Sequence, residues 1–234
     1  VNFSRALTYS FEDRDWIIKL GVTAIVTVLA LALSIVVVGL GLWALLLGYQ
    51  AALIHNIRLG LPRPLPTWGN LGRLFSSGLN ILGGTLIYNL PNALLFGCVA
   101  AMSPSFSQNF TGTAVSLGLA CCVLPIALVY NAVAQPMQAL AVAKYGDRRQ
   151  FSVFFEFGSL FAAVRRNAEL SLQFLLWSIV ANMLFALLLG IPALFLAVPV
   201  HGYLAGEYAA QVLGRPRTQH RAQQRPPVPS MSHR

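Results

Sequence analysis

Residues 20–57, LGVTAIVTVLALALSIVVVGLGLWALLLGYQAALIHNI, decide the fold. Lys19 and Arg58 bracket these 38 residues, and none of the 38 is Asp, Glu, Lys or Arg. One helix of that length would run about 57 Å, nearly twice the roughly 30 Å hydrocarbon thickness of a bilayer. The stretch therefore reads as two membrane spans in a hairpin. The turn is expected at Gly39-Leu40-Gly41, where two flexible residues interrupt a Val/Leu-rich run.

The spacing recurs twice. Residues 170–206 are uncharged and broken by Gly190-Ile191-Pro192, and residues 74–143 are uncharged and broken by the polar run from Ser103 to Asn109. The chain is thus expected to be an all-α integral membrane protein with six transmembrane helices in three hairpins, at 17–57, 78–143 and 169–213. Within the middle hairpin the spans fall near 78–102 and 113–135. If each block crosses twice, all sixteen Lys and Arg share one face, which the positive-inside pattern makes cytoplasmic, with both termini there. Composition agrees, since 56% of the 234 residues are hydrophobic and 10% charged, against about 25% charged in soluble domains.

The net charge of +9 does not point to nucleic acid. The arginines sit between and after hydrophobic blocks and are not interleaved with aromatics along a polar groove, so anionic lipid headgroups are the expected partner. Segment 1–16 reads as interfacial, 58–77 as an interfacial Pro/Trp loop and short helix, and 144–168 as an interfacial amphipathic helix rich in Phe, Phe154 included. At that depth Trp16, Trp68, Arg165, Arg166, Arg215 and Arg217 are the candidate lipid contacts, and His55 is expected to reach headgroups. Residues 214–234 lack the apolar content to fold and read as a disordered basic cytoplasmic tail. Cys98, Cys121 and Cys122 lack metal or redox spacing and read as small buried hydrophobes.

A shift of 154 positions lays the first hairpin on the last without a gap: Gly48-Tyr49 on Gly202-Tyr203, Leu59-Gly60 on Leu213-Gly214, Pro62-Arg63 on Pro216-Arg217. This suggests a parallel internal repeat. Gly48 and Ala52 then correspond to Gly202 and Gly206, small residues four apart that suit close helix contact or self-association.

Polar residues inside the spans form the candidate intramembrane cluster: Asn89, Asn92, Asn131, Gln135, Asn182 and Glu207, with Pro91, Pro125 and Pro136 nearby. Such groups are costly against lipid and face the bundle interior. Their simpler use is interhelical hydrogen bonding; their other use is a polar cavity for a small solute or lipid headgroup. No phosphate loop, zinc helix or nucleophile turn is present. The chain is therefore expected to be non-catalytic, with no cofactor or metal. Binding of lipid or partner proteins ranks first among functions, a small permease or channel second.

Phe11-Glu12-Asp13-Arg14-Asp15-Trp16, Gly48-Tyr49, Leu65-Pro66-Thr67-Trp68 followed by Leu74-Phe75 and Gly78-Leu79, and Pro91 resemble the prokaryotic membrane family called domain of unknown function four-thousand-thirteen. That family usually places acidic residues around the loop tryptophan, where this chain has Thr67, Gly69 and Asn70. The resemblance implies a multi-pass fold in a prokaryotic plasma membrane and no particular activity.

Overall fold

A computed structural model of the chain describes residues 3–34, 37–106, 110–188, 190 and 192–215. The expected tail beyond residue 215, with Arg217 and the Pro216-Arg217 match, lies outside the described residues. All regular structure among the described residues is helical: α1 (Phe3–Thr8) continuing into a 3-10 turn (Tyr9–Glu12), α2 (Trp16–Ala32), α3 (Val37–Arg58), α4 (Leu71–Phe106), α5 (Phe110–Arg148), a 3-10 turn (Phe151–Phe155), α6 (Phe157–Arg166), α7 (Ala168–Leu187) and α8 (Ala193–Leu213).

Among these, four helical segments are long and apolar enough to cross a bilayer: Val38–Arg58, Leu71–Ala101, Cys121–Arg148 and Ala168–Leu187. A fifth is reached if α2 is joined to the N-terminal pair Phe3–Glu12, from which it bends by 110°. The sixth expected span, α8, falls short of that apolarity because it carries Pro199, His201 and Glu207. It is also the most enclosed helix: Val200, Leu204, Tyr208 and Ala209 are fully buried. A helix shielded by its neighbours need not match lipid along its length.

Several boundaries differ from the sequence expectation. α2 ends at Ala32 and α3 begins at Val37, so Gly39 and Gly41 lie inside α3 and the break between the two helices falls before Val37. Gly39 instead lets α3 start against the end of α2, since a Cβ there would run into the Leu33 carbonyl. Residues 71–77, expected as a short interfacial helix, are the first turns of α4, which continues for 36 residues. α5 likewise runs for 39 residues straight through Pro125 and Pro136. These two helices, about 54 and 58 Å long, outreach a bilayer. The expected amphipathic helix over 144–168 is divided into the end of α5, a 3-10 turn and the ten-residue α6. Its Phe154 is not at a lipid surface: the side chain is fully buried against Gly84, where a Cβ would strike its ring. The three cysteines are free and exposed on the outside of the bundle, not buried within it.

Packing places α3, α4, α5, α7 and α8 in a ring, each touching the next and α8 returning to α3, while α2 lies outside against α3 and α8. The closest approach is between α3 and α4. A Cβ on Gly48 would collide with the Leu74 carbonyl and one on Gly78 with the Ala44 carbonyl, so the backbones meet directly at a reciprocal pair of glycines. Gly202 and Gly206 serve α8 differently, receiving the side chains of Leu53 and Ile57 from α3. Gly78→Ala is expected to lower stability in detergent by about 2 kcal/mol or more, because backbone must move. Gly97→Ala, with nothing within 4 Å of the added carbon, is expected to change it by less than about 0.5 kcal/mol. Thermal unfolding followed by tryptophan fluorescence distinguishes the two.

Candidate functional site

The helix ring lines a half-open cavity of about 340 Å³. Each of its five helices contributes: Gln50 from α3, Thr85, Tyr88 and Asn89 from α4, Asn131, Gln135 and Gln138 from α5, Ser178 and Asn182 from α7, and His201 from α8, over an apolar base that includes Ile54, Ile81 and Phe174. No Asp, Glu, Lys or Arg is among the described residues lining it. Helical spacing explains the convergence: Asn131, Gln135 and Gln138 fall at i, i+4 and i+7 on one face of α5, and Ser178 and Asn182 fall at i and i+4 on α7.

Four of the six residues expected in an intramembrane cluster, Asn89, Asn131, Gln135 and Asn182, therefore line one cavity. Asn92 stands beside it, bonded reciprocally to Asn131: Asn92 Nδ2 donates to Asn131 Oδ1 at 3.0 Å and Asn131 Nδ2 returns a bond to Asn92 Oδ1 at 3.2 Å. Glu207 is not brought to this cavity; it faces a second one, of about 440 Å³, near the end of α8. Some cavity amides hold α4 to α5, as Gln138 Nε2 donates to Thr85 Oγ1 at 2.9 Å and the Tyr130 hydroxyl donates to the Tyr88 carbonyl at 2.6 Å. Two groups have no such use. Among the described residues the Tyr88 hydroxyl and Ser178 Oγ are buried without a hydrogen-bond partner, on residues only 3% and 5% exposed. An unsatisfied buried hydroxyl costs about 1–3 kcal/mol, and both lie in the wall of the same cavity.

At one end of the ring the cavity gives way to a charged junction that the sequence reading missed. Arg58, at the last residue of α3, is 2% exposed. Its Nη1 donates to the Ala143 carbonyl at 3.0 Å and pairs with Asp147 at 2.7 Å, and its Nη2 donates to the Gly214 carbonyl at 3.1 Å. His55, expected at headgroups, instead sits 3.4 Å from the same Asp147. The only available signal was the i, i+3 spacing of His55 and Arg58, and nothing in one sequence assigned them an acid ninety positions away. Gly146 of α5 packs on the His55 ring, 3.6 Å from where its Cβ would be.

The expected lipid contacts divide. Arg165, Arg166 and Arg215 are exposed. Trp16 is half-buried, edge-on to Phe11 at 5.0 Å. Trp68 is turned inward: it stacks on the buried Tyr49 at 4.6 Å and its indole N–H donates to the Lys19 carbonyl at 3.3 Å. Lys19 Nζ pairs with Asp13 at 2.7 Å and donates to the Leu65 carbonyl at 3.3 Å, while Asn56 Nδ2 donates to the Pro64 carbonyl at 2.8 Å. The Pro/Trp loop is thus tied to α2 and α3. Burial pushes the Asp13 carboxyl up, but the Lys19 ammonium and the Asp15 N–H outweigh it and hold it below its ordinary value. Glu156, bonded to Lys144 and close to Arg148, is also lowered.

These two kinds of ion pair predict different losses. Asp147→Asn strands the buried Arg58 and is expected to cost about 3 kcal/mol. Glu156→Gln, in a more exposed pair, should cost under about 1 kcal/mol. Parallel thermal melts of the variants measure the difference.

No curated protein and no solved structure matches the chain. Residues 29–198 match the family described as Protein of unknown function (DUF4013). Most of the residues that carry the sequence resemblance fall within that range, and here they build contacts: Gly48 and Gly78 the α3–α4 approach, Leu65 and Trp68 the tied-down loop. With the match covering well over half of its length, this all-helical membrane protein belongs to the DUF4013 family.

Proposed function

We propose that this protein is a non-catalytic component of a prokaryotic plasma membrane that crosses the bilayer six times, keeps both termini in the cytoplasm, and holds an uncharged polar group in its central cavity. The observation that carries the reading is the set of polar side chains lining this cavity, six amides with Thr85, Tyr88, Ser178 and His201, among which there is no Asp, Glu, Lys or Arg. A lipid headgroup portion or a small solute rich in hydroxyl or amide groups would complete their hydrogen bonding.

The topology draws support from the way helix ends are joined. Lys19 to Leu65, Arg58 to Asp147 and Gly214, and Arg149 to Ser77 at 2.7 Å tie charged ends of α2, α3, α4, α5 and α8 together. One leaflet would then hold them all. The repeat draws support from register: shifted by 154, α2 covers 170–186 where α7 runs from 168 to 187, and α3 covers 191–212 where α8 runs from 193 to 213. Gly60 and Gly214, equivalent under that shift, share left-handed φ values of 70° and 75°.

A permease or channel is the second reading. It is favoured by the placement of Asn131 and Asn182 17 and 14 residues from the charged ends of α5 and α7, about 25 and 21 Å along the helices and so deep within a bilayer. Flux through reconstituted vesicles that is lost in Asn131→Leu would move that reading to first place.

Tyr88→Phe and Ser178→Ala remove groups that have no hydrogen-bond partner among the described residues, so unliganded protein is expected to keep or gain up to about 1 kcal/mol of stability. Retention of co-purified small molecules, measured by mass spectrometry in mild detergent, is expected to fall about fivefold in Gln135→Leu and in Asn182→Leu, whose amides are accessible in the cavity wall. Equal retention in wild type and both amide variants counts against the cavity as a binding site. For topology, single cysteines replacing Ser105 and Arg148 in a cysteine-free background are expected to label from opposite sides of intact cells; labelling from the same side rejects the hairpin scheme.

A further inference from the structure

The second cavity has a different chemistry. It lies between α1 and its following 3-10 turn, the turn at 60–64, and the end of α8, and it contains both signs of charge: Arg5 and Arg215 with Glu12 and Glu207. Tyr203 lines the same pocket as these four charged residues. Tyr9 forms part of the wall, its ring 4.6 Å from that of Tyr203 and its hydroxyl anchored on the Pro199 carbonyl at 3.0 Å.

Carboxylates are scarce in this chain. Of seven, Asp13, Asp147 and Glu156 are held in ion pairs with Lys19, Arg58 and Lys144. Two of the seven, Glu12 and Glu207, line this one pocket. A site shaped only for an anion would exclude carboxylates, and one shaped only for a cation would exclude arginines. Two of each suit a ligand whose own charges cancel.

The backbone assists. Gly60 has a φ of 70°, and an added Cβ would stand 3.5 Å from the Arg215 guanidinium carbon. Gly214, with a φ of 75°, turns the chain back after α8 so that Arg215 reaches this turn. Arg5 and Glu207 each also interact with other groups of the chain.

We propose that this pocket binds a zwitterion made of an ammonium and a phosphate ester, the chemistry of a phosphoethanolamine headgroup. Guanidinium groups take phosphate oxygens in paired, charge-assisted bonds; carboxylates and tyrosine faces take the ammonium. The volume of about 440 Å³ is within the roughly 300–1,000 Å³ of small-molecule sites. The site is separate from the central cavity and does not depend on that cavity having a ligand.

The test uses the whole chain in nanodiscs containing equal amounts of phosphatidylethanolamine and phosphatidylglycerol with the same acyl chains, followed by mass spectrometry of retained lipid. Phosphatidylethanolamine is expected to be retained over phosphatidylglycerol by about tenfold, and Glu12→Gln with Glu207→Gln is expected to abolish the preference. Glu169→Gln, which removes an exposed carboxylate elsewhere, is expected to leave it intact. If the double variant does not fold, Glu12→Gln alone, on an exposed residue, carries the comparison. Isothermal titration with soluble phosphoethanolamine separates the sources: binding with the same side-chain dependence assigns the free compound, and retention of intact lipid alone assigns the headgroup. Equal or better retention of phosphatidylglycerol, an unchanged preference in the double variant, or an equal loss in Glu169→Gln overturns the proposal.

Discussion

One buried guanidinium decides how the bundle closes. Arg58 lies where α3, α5 and α8 finish, and its two terminal nitrogens bond to the Ala143 carbonyl in the last part of α5, to the Gly214 carbonyl just after α8, and to Asp147. A cation removed from water is costly unless compensated. Here compensation comes from the Asp147 carboxylate and from two backbone carbonyls, of which Gly214 caps the C-terminus of α8, where partial negative charge favours a cation. Because the bonds span residues 58, 143, 147 and 214, they tie together segments distant in the chain, and the ring around the central cavity depends on that closure.

The sequence made much of this legible and left specific parts hidden. Uncharged runs between Lys19 and Arg58 and between residues 170 and 206 carry the helical membrane class, because exclusion of ionised side chains is a property of each segment alone. Asn131, Gln135 and Asn182, which line one cavity, were picked out for the same reason, since an amide facing hydrocarbon is costly wherever it occurs. Turn placement was less visible. Gly39 and Gly41 look like a break, yet a glycine in an apolar helix is as useful for close approach as for bending, and only the neighbour, here the end of α2, reveals which.

Trp68 and Phe154 show the same limit from another direction. An aromatic residue in a polar loop fits a headgroup layer, but it equally fits a pocket left by a small residue on a distant helix. Phe154 finds Gly84, and Trp68 finds Tyr49. Glu207 was separated from the amides because it lies about one and a half turns beyond His201 along α8, toward the charged end. The two cavities consequently divide the polar interior into an uncharged part and a part with balanced charge.

The modest hydropathy of α8 bears on biogenesis. A segment containing a proline, a histidine and a glutamate has little tendency to leave the translocon for lipid by itself. On the six-crossing reading it must enter after α3 and α7 are already in place to shelter it. Late, assisted insertion would make the last hairpin the step at which a destabilised protein is abandoned to quality-control proteases.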